Sequence, residues 1–171
     1  MRRFTWILAL GCLVLIAFVT QAQAQSKEVT EAVTGALYVT TKALPLEEGR
    51  VRIHYDAVGI VLSDTGSGLF HQATAHVLGG FTVEKGTYSD DLGWGVLNLQ
   101  NGDKVFYTQG GTGEMKPGGG PEGKITGTIT GGTGKCAGIK GRTTFSRHSV
   151  RPAVEGIGQT VMKGTITYTL P

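Results

Sequence analysis

The spread of glycine constrains this chain more than any other feature. Of 28 glycines only Gly11 falls in the first 24 residues, and the rest recur every few positions from Gly35 to Gly164. Between them lie short stretches of Thr, Val, Ile, Tyr and Phe, side chains that suit a half-buried pleated surface. Convincing helical periodicity is absent; residues 28–38 could form a turn or two, but Thr, Val and Gly dominate them. Short strands separated by turn signals at steady spacing predict an antiparallel sandwich or barrel.

Eight strands can be placed, over residues 37–43, 50–62, 69–81, 87–98, 104–109, 124–130, 142–147 and 159–170. The last is the cleanest, because Met162, Ile166, Tyr168 and Leu170 alternate with Lys163, Thr165, Thr167 and Thr169. In the second, Val51, Ile53, Tyr55 and Ala57 share one face opposite Arg52, His54 and Asp56. Val58 and Ile60 then follow on the polar side, which predicts a bulge or barrel corner near Gly59. Asn101-Gly102 predicts a hairpin with a type I′ turn, since both residues tolerate positive φ. Residues 110–123, with Pro117 and consecutive glycines, predict the longest loop. Eight such strands can close a small barrel and remove their own edges.

The chain opens differently. Arg2 and Arg3 precede an apolar run from Trp6 to Val19, closed by Ala22-Gln23-Ala24. A basic start, an apolar middle and a small-x-small end make a secretory signal peptide, expected to be removed after Ala24. The run is too short to span a bilayer, which takes about 20 residues. Lipidation at Cys12 is not expected, because Ala9 stands where that signal wants Leu. Residues 25–36 then read as an N-terminal extension and 37–171 as one barrel domain. Without Arg2 and Arg3, 14 Lys and Arg face 13 Asp and Glu, so no nucleic-acid footprint is left. Cys136 is the only thiol beyond the leader, so no intramolecular disulfide can form there and the fold must stand on burial.

The stretch Thr126-Gly127-Thr128-Ile129-Thr130-Gly131-Gly132-Thr133-Gly134-Lys135-Cys136-Ala137-Gly138-Ile139-Lys140-Gly141 resembles a segment between two late strands of the allene oxide cyclase-like and dirigent-like β-barrels. Phe70-His71, Asn101-Gly102-Asp103-Lys104 and Lys163-Gly164-Thr165-Ile166 resemble bacterial exported members of that group, whose function is unassigned. The resemblance implies an all-β, eight-stranded antiparallel barrel, allene oxide cyclase-like or calycin-like, with an apolar interior. It implies a fold more than an activity, and no cyclase or dirigent catalytic residue maps onto this chain. The same stretch fails as a phosphate-binding loop, since Ile129 and Cys136 occupy the required Gly and Ser/Thr positions. Gly132-x-Gly134-x-x-Ala137 lacks the βαβ setting of a dinucleotide fingerprint. Its glycines are read instead as allowing a tight turn and close backbone crossing at a barrel end.

Histidine is the residue type that titrates near neutral pH. His54 lies two residues from Arg52 and from Asp56 on one strand face. Turned inward, Asp56 would orient His54 as a general base while Arg52 holds an anion. Turned outward, the three make an ordinary solvated strip, which alternation favours. His71 and His76, an odd number apart in one predicted strand, fall on opposite faces and form no metal pair. His148 is placed in a loop, and Cys136 reads as a small buried apolar residue. Tyr55, His71, Trp94, Phe106 and Tyr168 are the candidate ligand-binding side chains. Abundant glycine argues for open space in the lumen.

No cofactor, metal, nucleic acid or membrane-spanning segment is expected. The leading reading is an exported protein, periplasmic or extracellular, that binds a small apolar or amphipathic molecule in the barrel. An isomerase or cyclase acting on a reactive small molecule is one alternative. A non-catalytic cell-envelope or assembly protein, acting as a homo-oligomer through an apolar outer patch, is the other.

Overall fold

The computed structural model describes residues 27–117 and 120–171. The expected signal peptide therefore lies outside the described residues. Eight strands follow one another round a closed antiparallel barrel: β1 (Val29–Glu47), β2 (Arg50–Ser63), β3 (Ala73–Glu84), β4 (Thr87–Asn98), β5 (Lys104–Met115), β6 (Pro121–Gly132), β7 (Lys140–Val150) and β8 (Gly158–Thr169). Each pairs with the next and β8 with β1, so every strand has two neighbours. Val33, Val61, Val77, Val105, Ile125, Ile129 and Ile166 point inward and are buried. No helix among the described residues is long and apolar enough to cross a membrane.

Several local expectations give way to the ladder. Residues 29–36, read as extension or helical turn, are the first part of β1, paired to β8 from Val29↔Tyr168 onward. Their apolar positions are diluted by Glu31 and Gly35, so only pairing with β8 and β2 makes the strand pattern visible. The third strand begins at Ala73, not residue 69, and His148 lies within β7, not in a loop. Most of the long loop expected over 110–123 is strand, to Met115 and again from Pro121, because Gly110, Gly111 and Gly113 pair with Thr126, Ile125 and Gly123. No corner forms at Gly59. The β1–β2 ladder runs unshifted through Leu37↔Gly59; Tyr55, Ala57 and Val61 stay inside, and Val58, Ile60 and Leu62 stay outside and exposed. The apolar outer face, not a change of side, explains the pattern.

The Asn101-Gly102 hairpin exists but is not type I′. Only Gly102 has positive φ (86°), and its N–H donates to Leu99 O, giving a three-residue loop ended by a left-handed glycine. Two positive φ values fall instead at Lys85 (49°) and Gly86 (80°), between the paired Glu84 and Thr87.

The two barrel ends differ. At one, the β2–β3 loop inserts Phe70, the β4–β5 loop Leu99, and the glycine-rich β6–β7 crossing Cys136 and Ile139, all buried. Phe70 meets Tyr168 edge-on, with ring centroids 5.3 Å apart. Glu31 accepts hydrogen bonds from the Leu69 and Phe70 amides and from Tyr168 Oη. This end is plugged. At the other, the tight turns at Glu48-Gly49 and Lys85-Gly86 carry no apolar residue to insert, and the lumen is open.

Candidate functional site

The open end holds a cavity of ≈ 390 Å³, within the usual range of about 300–1,000 Å³ for small-molecule sites. Leu37, Val39, Ile53, Phe81, Met115, Ile157 and Met162 make its apolar wall, and the β7–β8 connection reaches its rim through Pro152 and Gly156. Beyond Gln109 and Met162 lies a second void of ≈ 40 Å³ with an apolar lining that includes Val61, Leu97 and Ile166. The lumen is thus filled at one end and hollow at the other.

A polar group stands inside the hollow part. Arg147 of β7 reaches across the bore to Asp91 of β4, which is not its neighbour in the barrel. Arg147 Nη1 stands 2.9 Å from Asp91 Oδ2, with side-chain exposures of 8% and 0%. Their contact is one of charge, not an aligned hydrogen bond, so among the described residues Oδ2 accepts none and Arg147 Nε also lacks a partner. Arg147 Nη2 donates to Tyr88 Oη at 2.6 Å, and Tyr88 Oη donates to Glu122 O. The guanidinium carbon also lies 5.2 Å from the Tyr88 ring centroid and 5.7 Å from that of Phe81, within cation–π range. Tyr55 Oη donates to Asp91 Oδ1 at 2.9 Å and accepts from Gln109 Nε2 at 3.2 Å. Burial, then the Asp91 charge, push the Tyr55 phenol well above its ordinary pKa. Burial also raises Tyr88, against the opposing pull of Arg147. Both are neutral phenols at physiological pH.

Why Asp91 and Tyr88 both face inward is a matter of register. Strict alternation puts residues three apart on opposite faces. The β4–β5 pairing, however, shifts between Tyr88 and Asp91, leaving Ser89 and Asp90 outside. This bulge re-aims a side chain, a common use of bulges beside sites. Asp90 pins it from outside, accepting from Thr82 N at 2.6 Å, Thr82 Oγ1 at 2.8 Å and Arg52 Nη1 at 2.8 Å. Burial pushes the Asp90 carboxyl up, but the Thr82 hydrogen bonds and the Arg52 charge outweigh it and hold its pKa below the ordinary value.

Glycines complete the inner surface. A Cβ at Gly79 or Gly93 would overlap Tyr55 Oη, one at Gly95 the Tyr107 ring, and one at Gly113 or Gly123 Tyr88 Oη. The room beside these glycines is therefore filled by tyrosines, and the open part of the lumen lies elsewhere.

The expected residues are distributed otherwise. His54 and Asp56 are exposed on the outer face, and Arg52, half-buried there, bonds Asp90. Asp56 meets His76 across the strands at 2.9 Å, not His54. The catalytic arrangement expected of Arg52, His54 and Asp56 needs an inward face that this strand does not give them. Of the five ligand-binding candidates only Tyr55 lines the cavity. Tyr168 and His71 belong to the plugged end, while Trp94 and Phe106 are 58% and 40% exposed outside. Sequence reasoning missed Asp91, Arg147, Gln109 and Tyr88. Two left a usable signal: Arg147 shares a face with Thr143 and Phe145, and Gln109 with Val105 and Tyr107.

Cys136 is fully buried, as expected, and burial raises its thiol pKa. No family model matches the chain, and no curated protein matches its sequence.

Proposed function

We propose that this protein is exported and binds a small apolar or amphipathic molecule in the open end of its barrel. The observation that carries the reading is the ≈ 390 Å³ cavity, apolar in most of its lining, with polar side chains that include Tyr55, Gln109 and Arg147. An apolar pocket with few convergent polar groups is what a small-molecule site requires. The glycine stretch and the closed eight-stranded barrel support kinship with the allene oxide cyclase-like and dirigent-like barrels. The basic, apolar and small-residue order of residues 2–24 supports export.

Native mass spectrometry of protein recovered from an exporting host tests both parts. A chain beginning at Gln25 and carrying an added mass lost on denaturation is expected. A neutral fluorescent probe, N-phenyl-1-naphthylamine, should show saturable one-to-one binding that Ile157→Trp at the rim weakens. No bound mass together with no saturable probe binding would remove the basis of the reading.

A second reading, self-association at the cell envelope, is favoured by the outer surface. Tyr38, Val58, His76, Val96 and Phe106 form one cross-strand row, and Leu78 and Trp94 lie beside it. Tyr38, Val58, Leu78, Trp94 and Phe106 are 40–58% exposed, so the band is apolar and open to solvent. Sedimentation that depends on concentration in the wild type, and not in Trp94→Lys, would support it. An isomerase or cyclase reading passes from His54 to Tyr55, a phenol that lines the cavity.

A further inference from the structure

The charge balance of the inner wall says what kind of molecule the cavity takes. Among the described residues that line it, Arg147 is the only charged one. Its charge is already met from behind by Asp91, whose side chain is fully buried. The pair is neutral as a unit, and a second charge brought against it would be buried without a counter-ion. An unpaired buried charge is the costliest thing a small site can hold.

The hydrogen-bonding atoms left over point the same way. Asp91 can only accept, so Tyr55 Oη must donate to it, and Oη is then free to accept from Gln109. This fixes the orientation of the Gln109 amide, with Nε2 on the tyrosine. Among the described residues Gln109 Oε1 and one Nε2 hydrogen have no partner, so the wall offers both an acceptor and a donor. The apolar wall of Leu37, Val39, Ile53, Met115, Ile157 and Met162 lies on the same cavity.

Resting on the binding reading above, we infer that the cavity selects neutral amphipathic molecules with a hydroxyl or primary amide head, held by Gln109, and that Asp91 excludes carboxylates by occupying the charge of Arg147. Asp91 is thus a specificity determinant that does not touch the ligand. It sets which head group Arg147 tolerates.

The test uses one ten-carbon chain with four heads: 1-decanol, decanamide, decanoate and decylammonium, titrated at pH 7 by calorimetry. The alcohol and amide should bind, and the two ions at least about tenfold more weakly. Asp91→Asn keeps the shape and uncovers the Arg147 charge, so decanoate should gain at least about tenfold relative to decanol. Gln109→Leu, which leaves the ion pair alone, should weaken decanol and decanamide several-fold and narrow their lead over decanoate. Decanoate binding the wild type as tightly as decanol would overturn the selectivity while leaving cavity binding intact. So would an unchanged preference in Asp91→Asn, where that variant folds, or in Gln109→Leu. Failure of all four to bind the wild type would overturn the binding reading itself, and the selectivity with it.

Discussion

The two ends of this barrel are built from the same strands and reach opposite outcomes. At the plugged end the loops after β2, β4 and β6 are long enough to fold inward, and each brings a bulky or apolar side chain: Phe70, Leu99, Cys136 and Ile139. At the open end the turns after β1 and β3 are too tight to insert anything, and the connection after β7 stays at the rim. What bridges the bore there is a charged strut, Arg147 to Asp91, not packed hydrocarbon. Plugging by apolar side chains gives stability and no binding space. A strut holds the bore apart and leaves room beside it.

The sharpest way to break this contrast is to truncate the plug. Phe70 is fully buried, and Phe70→Ala should cost about 3–5 kcal/mol by chemical denaturation. Probe binding at the other end should stay within about twofold if the protein remains folded at assay temperature; a larger loss would mean the ends are coupled. Severing the strut should cost a similar amount for a different reason. Arg147→Met strands the Asp91 carboxylate and should cost about 3–5 kcal/mol, and adding Asp91→Leu should return much of it. If the double variant is no better than the single, the strut is not limited by its stranded charge.

A smaller effect is expected outside the barrel. Asp90→Ala removes the acceptor that pins the β4 bulge and should cost about 1 kcal/mol. It should also weaken probe binding, because Asp91 loses its fixed aim. His54→Ala, on the exposed face, should change neither, and a binding defect there would restore His54 as a site residue. The smallest effect is on pH. Burial raises the phenols of Tyr55, Tyr88, Tyr107 and Tyr168. An unfolded tyrosine ionises near pH 10 and these phenols ionise higher, so their stabilisation is full below that pH and is lost as pH rises from there through each raised folded pKa. Unfolding free energy from denaturant titrations should therefore hold up to about pH 9 and fall progressively above about pH 10. Tyr168→Phe should remove the share of the plug and Tyr55→Phe that of the open end.

Much of the fold was legible because alternation is local. Met162, Ile166 and Tyr168 in β8, and Tyr55 and Ala57 in β2, lie inside as their spacing predicts. Even Arg147 could be placed, since it continues the face of Thr143 and Phe145. The candidate site was not legible. His54 drew attention by chemistry near neutral pH and by its neighbours, yet its face is the solvated one. Asp91 was hidden because residues 88 and 91 cannot share a face in a regular strand. Only the bulge puts them together, and the bulge depends on Thr82 and Arg52 in other strands.

By itself, then, the sequence determined an all-β chain of eight strands with alternating faces, a pattern that fits a sandwich or a barrel around an apolar interior. Strand pattern and turn chemistry are properties of a few adjacent residues, and they survive in any arrangement. Only the tertiary structure decided which end of the bore is filled, which of Asp90 and Asp91 looks inward, and that Asp91 meets Arg147. Register and loop insertion are set by partners far away in the chain. A charge in a strand therefore shows its role only when the opposite wall of the barrel is in place.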